Sequence, residues 1–250
     1  DILSYGGYKT FRYVDAVDWN GIVDTLQFVP TYGFDIWESS GYRSLKDTPE
    51  HSFSNSKRDD FIISFNQCFG PKFAYIHLLT SHEINCESNV WSSIVYEKNL
   101  LDVDKDFEDV WNKLKITDST LVIISTDHGA RLDIKDVYQE EQQHGMKLRD
   151  ISMNTFCSFI GPGIPKQLIN RMVRTIDIVP TILEIAGCDP LLGQGKSVVP
   201  LIRGREYPEV YAFMETGGIY QKPSVMDKSD IWAVRTEKWK YWCHVNKGEW

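Results

Sequence analysis

The feature that most constrains this chain is Leu121–Gly129, in which an uncharged stretch with an apolar start is followed abruptly by Asp127-His128-Gly129. Three consecutive β-branched residues, Val122–Ile124, predict a strand that is covered on both faces, as in a parallel sheet between helices. Such a strand delivers its last residues to the carboxyl edge of the sheet, where open α/β folds bind ligands. Asp127 and His128 offer a carboxylate oxygen and an imidazole nitrogen, which together suit one divalent cation. The alternative interpretation is a plain polar turn after a strand.

A second apolar strand, Lys72–Leu79, ends in a similar polar group, Thr80–Glu83. Between the two strands, apolar residues recur at steps of three and four from Leu100 to Leu114, while charged residues fill the opposite face. This period predicts an amphipathic helix that crosses from one parallel strand to the next. If the two strands are neighbours in one sheet, His82 and Asp127 lie along the same edge.

Turn and capping signals extend the prediction along the chain. We expect a loop over Thr48–Asp60 and a helix over Arg174–Gly187, with Pro180 in its first turn and Gly187 as its C-terminal cap. Asp177, near the start of that helix, is expected to cap it in preference to binding a metal. The remaining predicted strands are Phe11–Val14, Phe156–Ile160, Val210–Met214 and Ile231–Arg235.

These patterns together predict an α/β fold with a mostly parallel central sheet that helices flank. We place this α/β core at residues 1–204 and a small C-terminal α+β portion at residues 205–250. The basic, aromatic stretch Lys238–Trp242 falls in the C-terminal portion. Packing is the favoured role for Trp239 and Trp242, and a sugar site is the alternative.

Composition excludes several classes of function. The formal net charge of the 250 residues is -8, which argues against a nucleic-acid partner because phosphate backbones are bound by basic surfaces. No apolar stretch approaches the roughly 20 residues that a transmembrane helix needs, so we expect no membrane segment in this chain. The five cysteines lack paired CxxC spacing and do not decide the compartment.

Several motifs occur in a definite order along the chain. They are Tyr5–Thr10, the apolar strand followed by His82, LVIISTDHG, the His144-Gly145 pair, Gly161–Pro165 and Asp177–Gly187. This order resembles the sulfatases of the alkaline phosphatase superfamily. The resemblance implies an alkaline phosphatase-like fold, and by itself it suggests an extracellular, periplasmic or lysosomal compartment.

The resemblance implies roles for three residues at the two strand ends. Asp127 and His128 correspond to metal ligands, although calcium, manganese and zinc cannot be told apart. His82 corresponds to the histidine that contacts the transferred sulfate or phosphate and can protonate the leaving oxygen. Cleavage of such an ester needs a cation on the non-bridging oxygens and an acid for the leaving group, which these residues would supply.

The resemblance also implies a cationic catalytic residue in the loop after LVIISTDHG. His144, or Lys147 three residues later, falls near that position. Arg149 is a further candidate, as a residue that binds the substrate. A solvated loop is the alternative interpretation of Lys147 and Arg149.

The chain departs from the family pattern in one region. The family takes its nucleophile from a C/S-x-P-x-R segment upstream of the match to Tyr5–Thr10, and neither that segment nor the upstream aspartate ligands are found here. The GKWH-like motif that the resemblance predicts is replaced by Phe11–Asp15. This departure weakens the hypothesis of sulfate-ester hydrolysis relative to that of phosphate chemistry. We therefore expect a fragment that lacks the nucleophile segment and is inactive in isolation.

Three hypotheses for function follow. The leading one is a metal-dependent sulfatase-like hydrolase whose intact form cleaves sulfate esters of a small molecule or a glycan. The second is a phosphodiesterase, phosphatase or phosphoethanolamine-type transferase of the same superfamily. The third, from another class, is a non-catalytic member that binds an anion or a partner protein.

Overall fold

The computed structural model describes residues 2–15, 34–39, 55–78, 80, 93–129, 148–190, 192–215 and 231–244. The helices in these ranges are α1 (Ile2–Tyr5), α2 (Asn55–Gln67), α3 (Ser93–Lys113), α4 (Asp150–Met153), α5 (Ile178–Ala186) and α6 (Val199–Ile202). The strands are β1 (Lys9–Val14), β2 (Ile36–Ser39), β3 (Lys72–His77), β4 (Val122–Ser125), β5 (Cys157–Ile160), β6 (Ala212–Glu215), β7 (Ile231–Arg235) and β8 (Lys240–His244). Helices and strands alternate over much of the described chain, so the predicted α/β class is confirmed. None of the described helices combines the length and apolar character needed to cross a membrane.

The chain divides into two compact units. One is Asp1–Thr117 with Gly187–Asp189, and the other is Asp118–Ala186 with Pro190–Trp250. The first unit contains β1, β2 and β3, and the second contains β4 to β8. These units are defined by which residues pack together. The predicted domain boundary between residues 204 and 205 stays a prediction.

The core of the first unit lies between a sheet and two helices. Strand β1 is central in a three-stranded parallel sheet with the order β2-β1-β3. Successive side chains of a strand alternate between its faces, and Phe11 and Tyr13 share the face that α2 and α3 cover. The ring of Phe11 meets those of Phe61 and Phe65 edge-on, with centroids 6.2 and 5.3 Å apart. Val110 of α3 belongs to the same cluster.

The start of α2 corrects the predicted loop over Thr48–Asp60, because the helix begins at Asn55. Arg58, only 2% exposed, donates to Asp106 and Asp109 of α3 at 2.9 and 3.1 Å. The start of α2 is therefore held against α3 by ion pairs. Charged residues that make such contacts show no hydrophobic period in the sequence, so the pattern did not predict a helix here.

Strands of the second unit pair antiparallel. Ile123 of β4 lies opposite Phe159 of β5, and Ser125 lies opposite Cys157. Strands β6, β7 and β8 form a second sheet in that order. No ladder between β3 and β4 is among the described pairings, so a mostly parallel sheet containing both strands stays a prediction. The apolar cluster of this unit consists of Val198, Leu201, Ile202, Tyr207 and Val210.

Helix α5 confirms the predicted helix and its caps. A 3₁₀ turn at Thr175–Asp177 leads into it, and Gly187, with a φ of 68°, follows its last residue. The Asp177 carboxylate accepts from the backbone nitrogens of Arg174 and Lys196 at 2.9 and 2.8 Å. It also accepts from the Arg174 guanidinium at 2.7 Å, so both of its oxygens are used in the fold. Asp177 thus takes part in capping as the third residue of the 3₁₀ turn, and Arg174 is the N-cap residue.

Candidate functional site

The Asp127-His128-Gly129 turn begins two residues after the end of β4. The Ser125 hydroxyl donates to the carbonyl oxygen of Phe156 at 2.9 Å, which holds the end of β4 against the residue before β5. The Asp127 and His128 side chains are 69% and 43% exposed. The turn therefore presents a carboxylate and an imidazole to solvent from an anchored strand end.

The carboxylate and the imidazole lie next to each other. His128 donates its backbone N–H to Asp127 Oδ1 at 2.8 Å, and His128 Nε2 lies 3.7 Å from Asp127 Oδ2. His128 Nδ1 lies 2.8 Å from the carbonyl oxygen of Gly129. Because a carbonyl oxygen only accepts, the neutral ring carries its proton on Nδ1, and Nε2 is the acceptor nitrogen.

Gly129 is required by the close approach of α4. Its backbone nitrogen donates to the carbonyl oxygen of Ser152 at 2.8 Å. A Cβ at this position would lie 2.1 Å from the carbonyl oxygen of Ile151 and 2.9 Å from that of Asn154. Glycine at position 129 is thus required by packing against α4, in addition to the turn that the sequence predicts.

Helix α4 is in turn tied to the β6–β8 sheet. Asp150 forms ion pairs with Lys240 at 2.8 Å and with Arg235 at 3.5 Å. Lys240 Nζ also donates to the carbonyl oxygen of Leu148. The Lys240 hydrogen bond is the main reason why the pKa of Asp150 lies below its usual value. The sequence marks a basic stretch here, but only the register of β7 and β8 places Arg235 opposite Lys240.

Arg149 lies one residue before α4 and is exposed. Its backbone carbonyl accepts from Ser152 and Met153, and its side chain makes no hydrogen bond to the start of the helix. Its role in binding the substrate stays a prediction, as does metal binding by Asp127 and His128. The other predicted site residues lie outside the described part of the chain: His82, His144 and Lys147.

The donors of the turn fit a divalent cation. A carboxylate oxygen and an acceptor imidazole nitrogen 3.7 Å apart can both reach one ion at metal–ligand distances of about 2.0–2.3 Å. The hydrogen bond from His128 Nδ1 to a backbone carbonyl is the kind that orients a ligating histidine. Within the described ranges, no group of three or more His, Cys, Asp or Glu residues is placed to hold a metal. The geometry of Asp127 and His128 is thus compatible with two ligands of one cation, and metal binding by this pair stays a prediction.

The family of this chain is shown by comparison with protein families. The sulfatase model matches residues 7–188, well over half of the sequence. The chain therefore belongs to the sulfatase family. The resemblance seen in the order of its motifs is confirmed.

Two of the similar proteins are named as sulfatases. Arylsulfatase K of Rattus norvegicus is 28% identical over 139 residues, which are 52% of this chain and 23% of that protein. An ulvan-active sulfatase of Formosa agariphila is 29% identical over 140 residues, 54% of this chain and 25% of that protein. The matched stretch thus spans about a quarter of each relative. Among solved structures, the lipoteichoic acid synthase LtaP of Listeria monocytogenes is 14% identical, with a TM-score of 0.49 over 98% of this chain and 66% of its own.

Proposed function

We propose that this chain is part of a metal-dependent sulfatase-like hydrolase that cleaves sulfate esters of small molecules or glycans. Membership of the sulfatase family carries the proposal, and the exposed Asp127–His128 pair supplies a candidate site. The names of the relatives, arylsulfatase K and ulvan-active sulfatase, point to the same class of substrate. The proposal includes a mostly parallel central sheet of the alkaline phosphatase type.

The metal is assigned to the turn after β4. Asp127 Oδ2 and His128 Nε2 would hold one divalent cation, with the Nδ1 proton committed to the Gly129 carbonyl. When bound, a calcium, manganese or zinc ion supplies positive charge for the non-bridging oxygens of the ester. The exposure of both side chains leaves the pair open to an anionic substrate.

The proton donor, the second cation and the substrate-binding residue are assigned to positions before and after the turn in sequence. His82 contacts the sulfate and gives a proton to the leaving oxygen, which departs as an alcohol or phenol. His144 or Lys147 supplies a second positive charge. Arg149, exposed at the start of α4, binds the anionic group of the substrate.

The test compares an aryl sulfate with an aryl phosphate as substrates of the full-length natural chain that contains these 250 residues. We expect sulfate release that a chelator abolishes and a divalent cation restores. Asp127→Asn should lower kcat/KM at least about 100-fold, because a lost ligand costs more than the 10–100-fold typical of its supporting contacts. Asp118→Asn, an exposed carboxylate before β4, is the matched control and should stay near wild type.

Two results would replace the proposal. Hydrolysis of phosphate alone would favour a phosphodiesterase, phosphatase or phosphoethanolamine-type transferase. Hydrolysis of neither substrate would favour a non-catalytic member that binds an anion or a partner. The isolated 250 residues are expected to show little or no turnover, since the family's nucleophile motif is not found among them.

A further inference from the structure

The basic stretch of β8 has no part in the proposed chemistry, yet it contacts the segment beside the turn. The Lys240 side chain is only 15% exposed, which is unusual for a lysine. Its ammonium donates to the carbonyl oxygen of Leu148 and to Asp150 Oδ1, the latter at 2.8 Å. The two acceptors flank Arg149 on both sides in sequence. One lysine therefore holds the backbone from which Arg149 projects.

The contacts continue from α4 to Gly129 and His128. Helix α4 begins at Asp150, and its Ser152 carbonyl oxygen accepts from the Gly129 backbone nitrogen at 2.8 Å. The Gly129 carbonyl oxygen in turn accepts from His128 Nδ1. A continuous series of hydrogen bonds and covalent links thus joins the Lys240 ammonium to the His128 ring.

Helix α4 depends on this support because it is short. A helix of four residues is unstable on its own, since nucleation costs more than a single turn returns. Asp150, its first residue, is held by Lys240 and also by Arg235, which lies opposite Lys240 in the β7–β8 ladder. The position of α4 is therefore set by two cations of the antiparallel sheet.

We infer that Lys240 is a positioning residue that acts through α4 to orient His128 and Arg149, which makes the β6–β8 sheet part of the site. Lys240 touches no reacting atom in this scheme. The metal-binding consequence rests on the proposed function, whereas the geometric consequence for Gly129 does not.

The test uses Lys240→Met in the full-length natural chain. Methionine keeps an unbranched apolar stem and removes the ammonium donors. Hydrogen exchange at the Gly129 amide should accelerate at least about tenfold, because its acceptor on α4 is no longer held. Affinity for Mn²⁺, measured by titration, should fall about tenfold, as is typical for loss of a contact that orients a ligand. Lys240→Arg should restore both values to within about twofold of wild type, since arginine keeps a cation for Asp150.

The control is Lys238→Met, an exposed lysine two residues earlier that should change neither measurement. Unchanged Gly129 exchange in Lys240→Met overturns the inference, whatever the metal does. Equal Mn²⁺ affinity of wild type and Lys240→Met overturns the link to His128. A wild-type protein that binds no divalent cation overturns the proposed function instead, and Gly129 exchange then decides the inference. If hydrogen exchange at Val234 of β7 also accelerates in Lys240→Met, the substitution has disturbed the sheet itself. Asp150→Asn then replaces Lys240→Met, with the same expected changes in Gly129 exchange and Mn²⁺ affinity.

Discussion

The carbonyl oxygen of Ile151 lies 2.1 Å from the point that a Cβ of residue 129 would occupy. The turn with Asp127 and His128 therefore packs on α4 through bare backbone at Gly129. Backbone atoms cannot rotate away from a clash as a flexible side chain can. The end of the turn is set by this contact together with the hydrogen bond from Gly129 to Ser152.

Gly129→Ala should destabilise the protein by about 1–3 kcal/mol, the usual cost of forcing an extra carbon into a packed site. The shift of the urea midpoint measures the effect. Gly193→Ala is the matched control, because a Cβ there meets nothing within 4 Å, and it should change stability by less than about 0.5 kcal/mol. Equal losses in the two variants would contradict the packing argument.

Arg58→Met should destabilise the protein by about 1–3 kcal/mol, because it removes two charge-assisted hydrogen bonds from the buried guanidinium to carboxylates that are partly exposed. Denaturant titration gives the value. Lys105→Met removes a cation from an exposed pair with Asp102 on the same helix, and we expect less than about 1 kcal/mol. A cost for Arg58→Met as small as that of Lys105→Met would show that the α2–α3 ion pairs contribute little.

Unlike Arg58→Met, Arg12→Met should not lower the free energy of unfolding. Arg12 is equally buried at 2% exposure, but its Nε and Nη2 have no hydrogen-bond partner within the described chain. Burial lowers the pKa of Arg12, which shows that the folded state disfavours its charge. Removing unpaired buried donors should leave stability unchanged or raise it by up to about 3 kcal/mol. A clear loss in the same denaturant titration would mean that Arg12 has a stabilising role.

Asp150 should contribute an acid-dependent part of the stability. Its pKa is lowered chiefly by the hydrogen bond from Lys240, so the folded state favours the ionised carboxylate. The stabilisation is fully present above the unfolded pKa of about 3.9 and disappears as the pH falls through the lower folded value. Asp150→Asn should therefore be less stable than wild type by a constant amount from about pH 7 to 5, with a difference that shrinks below pH 4. A difference independent of pH in urea titrations would exclude this linkage.

Much of the fold was predictable because its signals are local. The strand over Ile231–Arg235 has the predicted bounds, and α5 lies between the predicted cap residues Asp177 and Gly187. Apolar periods, capping residues and turn residues act over a few positions, so a short window of sequence contains them. The start of α2 was not predictable, because Arg58 is buried by carboxylates about 50 residues away.

The candidate site likewise combines features set by adjacent residues with features set by residues far apart in the sequence. Asp127, His128 and Gly129 are adjacent in the chain, so the sequence by itself determines that a carboxylate, an imidazole and a glycine follow one apolar strand. Only the tertiary structure decides that β4 pairs antiparallel with β5 and that Lys240 reaches Asp150 across 90 residues. The physical reason is that strand register depends on which of many distant segments pair best, a competition that no local pattern records.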